Sequence, residues 1–372
     1  MTAEQVWLQR ISARDFRNFE RLDLELPENG LAVIGENGQG KTNLLESIYY
    51  LQVLRSVRGA RDQDLVRFGA KGFFISARCA TASAHEISVG FETQGKKKKV
   101  TIDGAVASRL SDAFGSLPSV MFSPRDIQLV AGAPSERRRF LDLVLALSSR
   151  RYLTALQMYR AALARRNASL REAARSGDEN AAAVWEPALA EHGAVLVCAR
   201  AEWVGQRADE FSRLSAAIGE TGESRMSYSS SAAKEENVRS VLENSLARHR
   251  RHDIRRGMTH SGPHRDDLAL ALDGRELRLF GSAGQQRTAA IALRMLEGDT
   301  IRESHGVAPV LLLDDPFAEL DVKRSAQILE LLKGAGMGQT ILVVPRAGDI
   351  PPELIGLERR KIHGGVIEGL AT

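Results

Sequence analysis

The sequence predicts an α/β fold that is built around a phosphate loop and interrupted by a helical insertion. Three observations predict it. The apolar run 31–34 precedes a glycine-rich loop, which opens the helical pattern of residues 43–51. A second apolar run, 309–313, ends in two carboxylates. Between them, residues 134–218 carry apolar side chains at helical spacing.

The glycine-rich loop matches the G-x-x-x-x-G-K-[ST] pattern in the strand–loop–helix context that the pattern requires. Glycines allow backbone N–H groups to converge on phosphates, and the start of the following helix adds a partial positive charge. A lysine at this position neutralises the phosphates, and the next hydroxyl binds Mg²⁺. We expect nucleotide contacts from Gly35, Glu36, Asn37, Gly38, Gln39, Gly40, Lys41, Thr42 and Asn43.

Composition indicates an ordinary globular protein. The 372 residues can form two domains, and the net charge of +4 permits a polyanionic partner without requiring one. Cys79 and Cys198 are too few for a disulfide framework or a zinc site, which favours a reducing compartment. Because no apolar run is long enough to span a bilayer, we expect a cytoplasmic protein without a membrane segment.

Alternating patterns at residues 7–11 and 22–26 predict two strands. The residues between them, 14–19, allow two interpretations. They form a polar loop anchored by two phenylalanines, or they bring Arg17 and Asn18 close to the nucleotide. The sequence leaves both open.

Further strands are predicted at 72–80, 86–91 and 100–102, with a hairpin tip at 94–99. The lysines in this tip, including Lys97 and Lys98, suit either a solvated edge that discourages aggregation or a contact to phosphates. The solvated edge is favoured, and the contact stays a candidate.

Helical periodicity begins at Pro134, and a turn at 169–180 separates it from a second helical run, 181–218. We therefore predict three segments, with residues 1–125 and 251–372 forming the head and residues 126–250 forming a helical arm. A basic cluster follows the helices and would surround most of a helix, so its members cannot all pair with core-facing acids. It supplies the DNA-binding candidates Arg248, Arg250, Arg251, Arg255 and Arg256.

The loop 281–287 precedes a predicted helix at 288–297 and is a second possible anion site. The buried strand 309–313 places Asp314 and Asp315 at the carboxyl edge of the sheet, where α/β folds bind ligands. Asp314 suits Mg²⁺ binding together with Thr42, and Asp315 suits the orientation or deprotonation of an attacking water. A capped strand end explains one aspartate but not two.

These motifs together resemble the ABC-type ATPase heads of the SMC superfamily, and within it the RecF family of DNA replication and repair proteins. The phosphate loop is followed in the family's order by the signature 282–285, the Walker B strand with its two aspartates, and the D-loop 319–321. Three further stretches resemble RecF proteins in particular, namely 122–126 with 132–142, then 262–268, and 285–288.

The resemblance implies ATP and Mg²⁺ as cofactors, with Lys41 and Asp315 as catalytic residues. It also implies that Ser282, Gly284 and Gln285 contact nucleotide held by a second subunit, so that ATP binding drives a head-to-tail homodimer, and it places Asp321 at that site. Expected partners are duplex DNA or single-strand/double-strand junctions, and the proteins RecR and RecO, which help to load recombinase.

The chain departs from the family pattern at two positions. Pro345 and Arg346 stand where a switch histidine or a threonine-rich segment is usual, and Ala318 stands where the D-loop usually has serine. We therefore expect slow hydrolysis. The alternatives are an ATPase subunit of another SMC or ABC complex, or a nuclease or kinase. A nuclease requires a second set of carboxylates, which the sequence does not show.

Overall fold

The computed structural model describes residues 4–80, 84–178, 180–233, 235–317, 320, 322–334, 336 and 338–369. The chain forms two compact units. Met1–Asp126 and Leu293–Thr372 make up the first, and Ile127–Ala292 makes up the second. The first junction lies after residue 126, and we expected the arm to begin at that residue. The second lies 42 residues after the predicted end at 250, because residues 251–292 belong to the inserted unit.

The strands of the described residues are β1 (Glu4–Gln5), β2 (Trp7–Phe16), β3 (Phe19–Glu25), β4 (Gly30–Ile34), β5 (Gly72–Ala80), β6 (Ala84–Glu92), β7 (Lys97–Ile102), β8 (Ala105–Val106), β9 (Ser119–Phe122), β10 (Ser224–Ser229), β11 (Asp267–Leu272), β12 (Arg275–Glu276), β13 (Val307–Ala308), β14 (Val310–Asp314), β15 (Thr340–Val344), β16 (Glu358–His363) and β17 (Val366–Gly369). The α-helices are α1 (Lys41–Val53), α2 (Gln128–Ala131), α3 (Pro134–Ser148), α4 (Arg150–Ser176), α5 (Asn180–Ala183), α6 (Glu186–Ala217), α7 (Val238–Arg256), α8 (Leu277–Phe280), α9 (Ala283–His305) and α10 (Val322–Gly334).

The core of the first unit is a six-stranded sheet with the order β17-β16-β4-β15-β14-β9. Its strand pairs are parallel except for β16 and β17. Every residue of β4, β9 and β15 is buried, as expected for strands covered on both faces. The carboxyl ends of β4 and β14 therefore lie at one edge, from which the phosphate loop and Asp314 emerge.

A second sheet in this unit is antiparallel, with the order β3-β2-β5-β6-β7-β8. In β5 the buried side chains of Phe73, Ile75 and Ala77 alternate with the outward-facing Phe74 and Ser76. This period of two is the pattern of a sheet with one face on the core and the other in solvent.

The predicted loop at 14–19 is instead a tight hairpin. β2 continues to Phe16 and β3 begins at Phe19, and these two residues are paired across the strands and fully buried. Only Arg17 and Asn18 form the turn, with Arg17 at a φ of 56°. Similarly, β7 begins at Lys97, so the predicted tip at 94–99 is confined to residues 94–96.

In the second unit, helices α3, α4, α6 and α7 pack with a small sheet of the order β10-β11-β12. The pairing of β10 with β11 explains why this unit extends beyond residue 250. The turn predicted to begin at Ser169 is wrong, because α4 continues to Ser176 and buries Leu170 and Ala173. The helix ends at Gly177, whose φ of 78° is favourable for glycine.

Helix α9 begins at Ala283, five residues before the predicted start at Thr288. Its first turn is capped locally, since Ser282 Oγ accepts a hydrogen bond from the Gln285 N–H and Gln285 Oε1 accepts one from the Ser282 N–H. This reciprocal cap satisfies donors that a loop would leave open. Residues 281–287 are therefore mostly helix.

Two observations concern the compartment that we expect. Cys79 is buried and Cys198 is exposed, and both are free thiols. Burial raises the pKa of Cys79 to about 11, which keeps its thiol protonated at neutral pH. Among the described residues, no helix has the length and apolarity needed to cross a membrane.

Candidate nucleotide site

The phosphate loop lies between β4 and α1, as predicted. Gly38 has a φ of 82°, and a Cβ added there would meet no atom within 4 Å, so the loop leaves open space at this point. Gly40 has a φ of 114°, and a Cβ there would lie 2.6 Å from the Asn18 side chain. Both positions therefore favour glycine.

Helix α1 begins at Lys41 without a side-chain cap. No side chain of the cap residue Gly40 bonds its first N–H groups, which leaves them suited to an anion. The Lys41 amine donates hydrogen bonds to the carbonyl oxygens of Gly35 and Glu36, at 2.5 and 2.9 Å. Burial lowers the pKa of Lys41, and the negative charges of Asp314 and Asp315 oppose that shift. Both aspartates are therefore close enough to Lys41 to stabilise its positive charge.

Thr42 and Asp314 meet at the carboxyl edge of the parallel sheet. Thr42 Oγ1 donates a hydrogen bond to Asp314 Oδ1 at 3.1 Å. Burial raises the pKa of Asp314 above its ordinary value, while the Thr42 hydrogen bond and the charge of Arg58 lower it. A hydroxyl and a carboxylate are oxygen ligands of the kind that Mg²⁺ prefers, so these residues fit the ion.

Asp315 follows β14 and leaves the strand conformation. Its φ is 45°, a left-handed value that is uncommon outside glycine. Its N–H donates to the carbonyl of Val343 at 3.0 Å, which fixes the backbone beside β15. This hydrogen bond helps to maintain the strained backbone of Asp315. Strained backbone of this kind is common at functional sites.

The loop is braced from two sides by contacts that the sequence did not indicate. Asn18 Nδ2 donates to the carbonyl of Gln39 at 3.0 Å, and Asn43 Nδ2 donates to Asn18 Oδ1 at 2.8 Å. The turn between β16 and β17 contacts Gln39 as well, since Gly365 N–H donates to its carbonyl at 3.0 Å and Gly364 N–H to its Oε1 at 2.7 Å. Asn18 therefore positions the loop.

Arg17 contacts α1. It forms two hydrogen bonds with Glu46, at 2.9 and 3.2 Å, and Glu46 is fully buried. Ser56 Oγ also donates to Glu46, at 2.6 Å, and the Arg58 guanidinium lies 4.0 Å from it. Arg58 is close enough to Asp314 to lower its pKa. The sequence did not single out Arg58, because the stretch 55–67 carries no recognisable period.

The signature residues lie in the second unit. Ser282 is exposed at the start of the 23-residue helix α9, and Gly284 and Gln285 are in its first turn. Asp321 lies outside the described residues, as do Ala318 and Glu319 of the predicted D-loop. Arg346 follows β15 with an exposed side chain, and its N–H donates to Asp349 Oδ2 at 3.0 Å.

Two of the DNA-binding candidates have a structural role. Arg250 forms two hydrogen bonds with the buried Glu186, at 2.9 and 2.6 Å. Lys98 faces inward, where its amine lies 2.7 Å from Asp62 and donates to the Leu54 carbonyl at 2.8 Å. Each of these two side chains is held by a carboxylate, and its DNA contact stays a prediction. The remaining candidates are exposed, namely Lys97, Arg248, Arg251, Arg255 and Arg256.

Two segments of the stretches that resemble RecF proteins, 132–142 and 262–268, meet in the second unit. Arg137 of α3 forms a bidentate ion pair with Asp267, at 2.9 and 2.6 Å. Its neighbour Arg138 donates to the carbonyl of Asp266 at 2.7 Å. These two segments thus hold α3 against the start of β11.

Comparison with known proteins identifies the family. The model of the RecF/RecN/SMC N terminal domain matches residues 7–349. A DNA replication and repair protein RecF of Symbiobacterium thermophilum is 38% identical over 338 residues, which are 88% of this chain and 89% of that protein. The chain belongs to the RecF family. The RecF of Myxococcus xanthus is 33% identical over 97% of this chain and 96% of its own length.

Solved structures agree with the RecF assignment. The structure described as the recombination mediator protein RecF-ATPrS in the RecFOR pathway covers 100% of both chains, with a TM-score of 0.91 and 29% identity. An Smc head bound to the C-winged helix domain of ScpA has a TM-score of 0.57 and 14% identity over 98% of both chains, so it supports the fold alone. The predicted head of the SMC type is confirmed.

Proposed function

We propose that this RecF-family chain is an ATP-dependent DNA-binding protein of recombinational repair and replication-fork maintenance. One observation carries the proposal: Thr42 and Asp314 are hydrogen-bonded at 3.1 Å beside an uncapped helix start that follows a phosphate loop. This arrangement suits a nucleoside triphosphate with its metal. Similarity to known proteins supports ATP as that nucleotide, since a similar solved structure is described as RecF-ATP.

In this proposal the loop N–H groups and Lys41 bind the phosphates, and Thr42 and Asp314 hold Mg²⁺. The metal supplies neutralisation of the charge that develops on the phosphates. Asp315 orients or deprotonates the water that attacks the terminal phosphate. Arg17 stays a proposed nucleotide neighbour, although its bond to Glu46 gives it a role in positioning α1.

We further propose that ATP binding drives head-to-tail dimerisation, with Ser282, Gly284, Gln285 and Asp321 contacting nucleotide held by the other subunit. The surface next to the signature supports an interface. Leu279 and Phe280 precede Ser282 and are 66% and 68% exposed. Large exposed apolar side chains beside a polar site are typical of protein–protein contacts.

Hydrolysis is proposed to be slow and stimulated by DNA, and to release the dimer. Arg346 replaces the usual switch residue, and its exposed position after β15 allows it to supply charge but not proton transfer. The proposed partners are duplex DNA or single-strand/double-strand junctions, together with RecR and RecO. The similar solved RecF structure is described as part of the RecFOR pathway, which supports these two proteins as partners.

Light scattering tests the dimer directly. The mass of the protein is measured with and without ATP and Mg²⁺, alone and with a gapped duplex. We expect a monomer that doubles with ATP-Mg²⁺ and then retains DNA. Ser282→Arg should still bind ATP but stay monomeric, while the matched control Ser304→Arg, at the other end of α9, should pair like the wild type. A wild-type protein that binds ATP and never doubles would contradict the proposal.

A further inference from the structure

The outward face of the antiparallel sheet carries an ordered group of cations. Strand β2 buries Ile11 and Ala13 and directs Arg10, Ser12 and Arg14 outward. The cross-strand register aligns these three residues with outward-facing partners on β3, β5, β6 and β7, so that three rows cross the sheet. We call this surface the arginine face.

One row contains cations without any carboxylate. Arg21, Arg14 and Lys99 are aligned with Phe74 across β3, β2, β7 and β5. Arg14 and Arg21 stand directly opposite each other in the register. Like charges that stand directly opposite each other destabilise a sheet. An anionic ligand bound between Arg14 and Arg21 would offset this repulsion.

The opposite row repeats the arrangement, because Arg10 stands directly opposite Arg78. Glu25 and Glu86 occupy the two ends of this row. Arg10 is paired with Asp23 at 2.6 Å. In the described part of the chain, no carboxylate lies within ion-pairing distance of Arg14, Arg21 or Arg78, so these three guanidinium groups are available.

The row between the two arginine rows begins on β3 with Asp23, whose carboxylate is paired with Arg10, and continues with small hydroxyl side chains on the other four strands. Ser12 and Ser76 are hydrogen-bonded at 2.7 Å, and Ser88 and Thr101 at 2.6 Å. Because these side chains are short and the arginines on either side are long, the surface has a depression of about 590 Å³. Its lining residues lie on β3, β2, β5 and β6, and strand geometry makes it about 13 Å wide between the arginine rows and about 14 Å long across these four strands.

An aromatic ring stands within the row of Arg14. Phe74 is 39% exposed, although the other residues aligned with it are polar or glycine. Its neighbour in the register is Gly90, whose missing side chain leaves that side of the ring uncrowded. An exposed ring beside cations can stack with an unpaired base, which a closed duplex does not present.

We propose that the arginine face binds a single DNA strand, with its phosphodiester backbone along the hydroxyl row and an unpaired base on Phe74. The width fits one backbone, and Glu25 and Glu86 at the ends of the Arg10 row disfavour a second. This inference rests on the proposed DNA-binding function and adds the strand type and the surface. It differs from the basic cluster on α7, because the face belongs to the first unit.

The test compares DNA binding of the wild type and of Arg14→Glu/Arg21→Glu, both with ATP-Mg²⁺. Fluorescence anisotropy measures the affinity for a labelled single strand, a gapped duplex and a blunt duplex. We expect at least a tenfold loss on the single strand and the gap, and less than a threefold change on the blunt duplex. The plot of log affinity against log salt for the single strand should lose about 1.4 of its slope, the value for two phosphate contacts.

The matched control is Arg175→Glu/Arg213→Glu, which changes the net charge equally at two surface ion pairs of the arm. An equal loss in this control would overturn the proposal, because the effect would be long-range charge. Equal loss on the blunt duplex would overturn the single-strand assignment. Unchanged DNA binding with lost binding of purified RecR would assign the face to a protein instead.

A second variant, Phe74→Ala, keeps the charge of the face. We expect about a tenfold loss on the single strand with an unchanged salt slope, since stacking does not involve phosphates. An unchanged affinity would remove the base from the proposal. Thermal melting and the ATP-dependent mass verify that each variant folds and pairs. A wild type that binds no DNA at all would instead overturn the proposed function.

Discussion

Thr42 Oγ1 and Asp314 Oδ1 are joined by a 3.1 Å hydrogen bond although they lie 272 positions apart in the chain. The bond holds the phosphate loop against the end of β14. It holds the half-buried carboxylate at this edge of the sheet, where burial raises the pKa of Asp314. A buried carboxylate with a raised pKa is destabilising in its charged form, and such groups are typical of functional sites.

Replacing Asp314 with asparagine should therefore stabilise the protein in the absence of nucleotide. The folded pKa lies above the unfolded one, so the wild type loses stability as pH rises through that interval and stays less stable above it. Asp314→Asn keeps an oxygen for Thr42 and lacks this penalty. We expect a gain of about 1 kcal/mol at pH 7.5 and little gain at pH 3.5, measured by urea unfolding.

The same variant should lose the additional stabilisation that Mg²⁺ gives in the presence of ATP, since it lacks the carboxylate that we propose as a metal ligand. Melting temperatures with ATP alone and with ATP-Mg²⁺ provide this comparison. A variant that is less stable than the wild type at pH 7.5, or that keeps the full Mg²⁺ effect, would show that Asp314 has a purely structural role.

Asn18 should affect nucleotide binding through its contacts with the phosphate loop. Its side chain bonds Gln39 and Asn43 and limits the path of the loop at Gly40. Asn18→Ala should weaken ATP binding about tenfold, equivalent to about 1.4 kcal/mol, by leaving the loop less ordered. Calorimetric titration measures the change. Asn244→Ala, on the exposed surface of α7, is the control and should bind ATP like the wild type.

The sequence predicts those parts of this site whose residues are close together in the chain. The phosphate loop and the pair Asp314–Asp315 each occupy one contiguous stretch, so pattern and spacing were sufficient to find them. The contact of Gly364 and Gly365 with Gln39 joins residues 325 positions apart and has no local pattern. Periodicity therefore identified the elements, and the contacts that brace them required the structure.

The same distinction applies to the basic residues. Alternation along β7 turns Lys98 toward Asp62 and Lys97 toward solvent, although the lysine run looks uniform in sequence. Arg250 likewise differs from the rest of its cluster, because it is paired with Glu186, 64 positions away in the chain. The tertiary partner determines which cation is available for a ligand, and the composition of a cluster does not.

The ion pair of Arg137 with Asp267 should be essential for the stability of the second unit. Arg137 is 3% exposed, so removal of Asp267 would leave a buried charge without its carboxylate. Asp267→Ala should lower the free energy of unfolding by about 3 kcal/mol. Arg137→Met/Asp267→Ala should recover part of this loss, because no charge stays buried. Urea unfolding distinguishes the variants, and a double variant less stable than the sum of the singles would contradict the interpretation.

His264 should make the second unit sensitive to acid. Its Nε2 lies 3.0 Å from the Thr259 carbonyl, which can only accept, so Nε2 carries the proton and Nδ1 accepts from the Tyr159 hydroxyl at 2.6 Å. Burial lowers the pKa of His264 to about 4. Burial disfavours the charged imidazolium and the nearby Arg265 and Arg138 add repulsion, so the folded protein excludes the second proton until the pH is near 4.

Because the unfolded chain binds this proton from about pH 6.5 downward, stability should fall as pH decreases from 6.5 to 4, by about 3 kcal/mol from this group. Urea unfolding at intervals over that range gives the slope. His264→Gln should be less stable at pH 7 and should have a shallower slope, whereas His305→Gln at the exposed end of α9 should keep the wild-type slope. A His264→Gln slope equal to that of the wild type would mean that other groups cause the acid sensitivity.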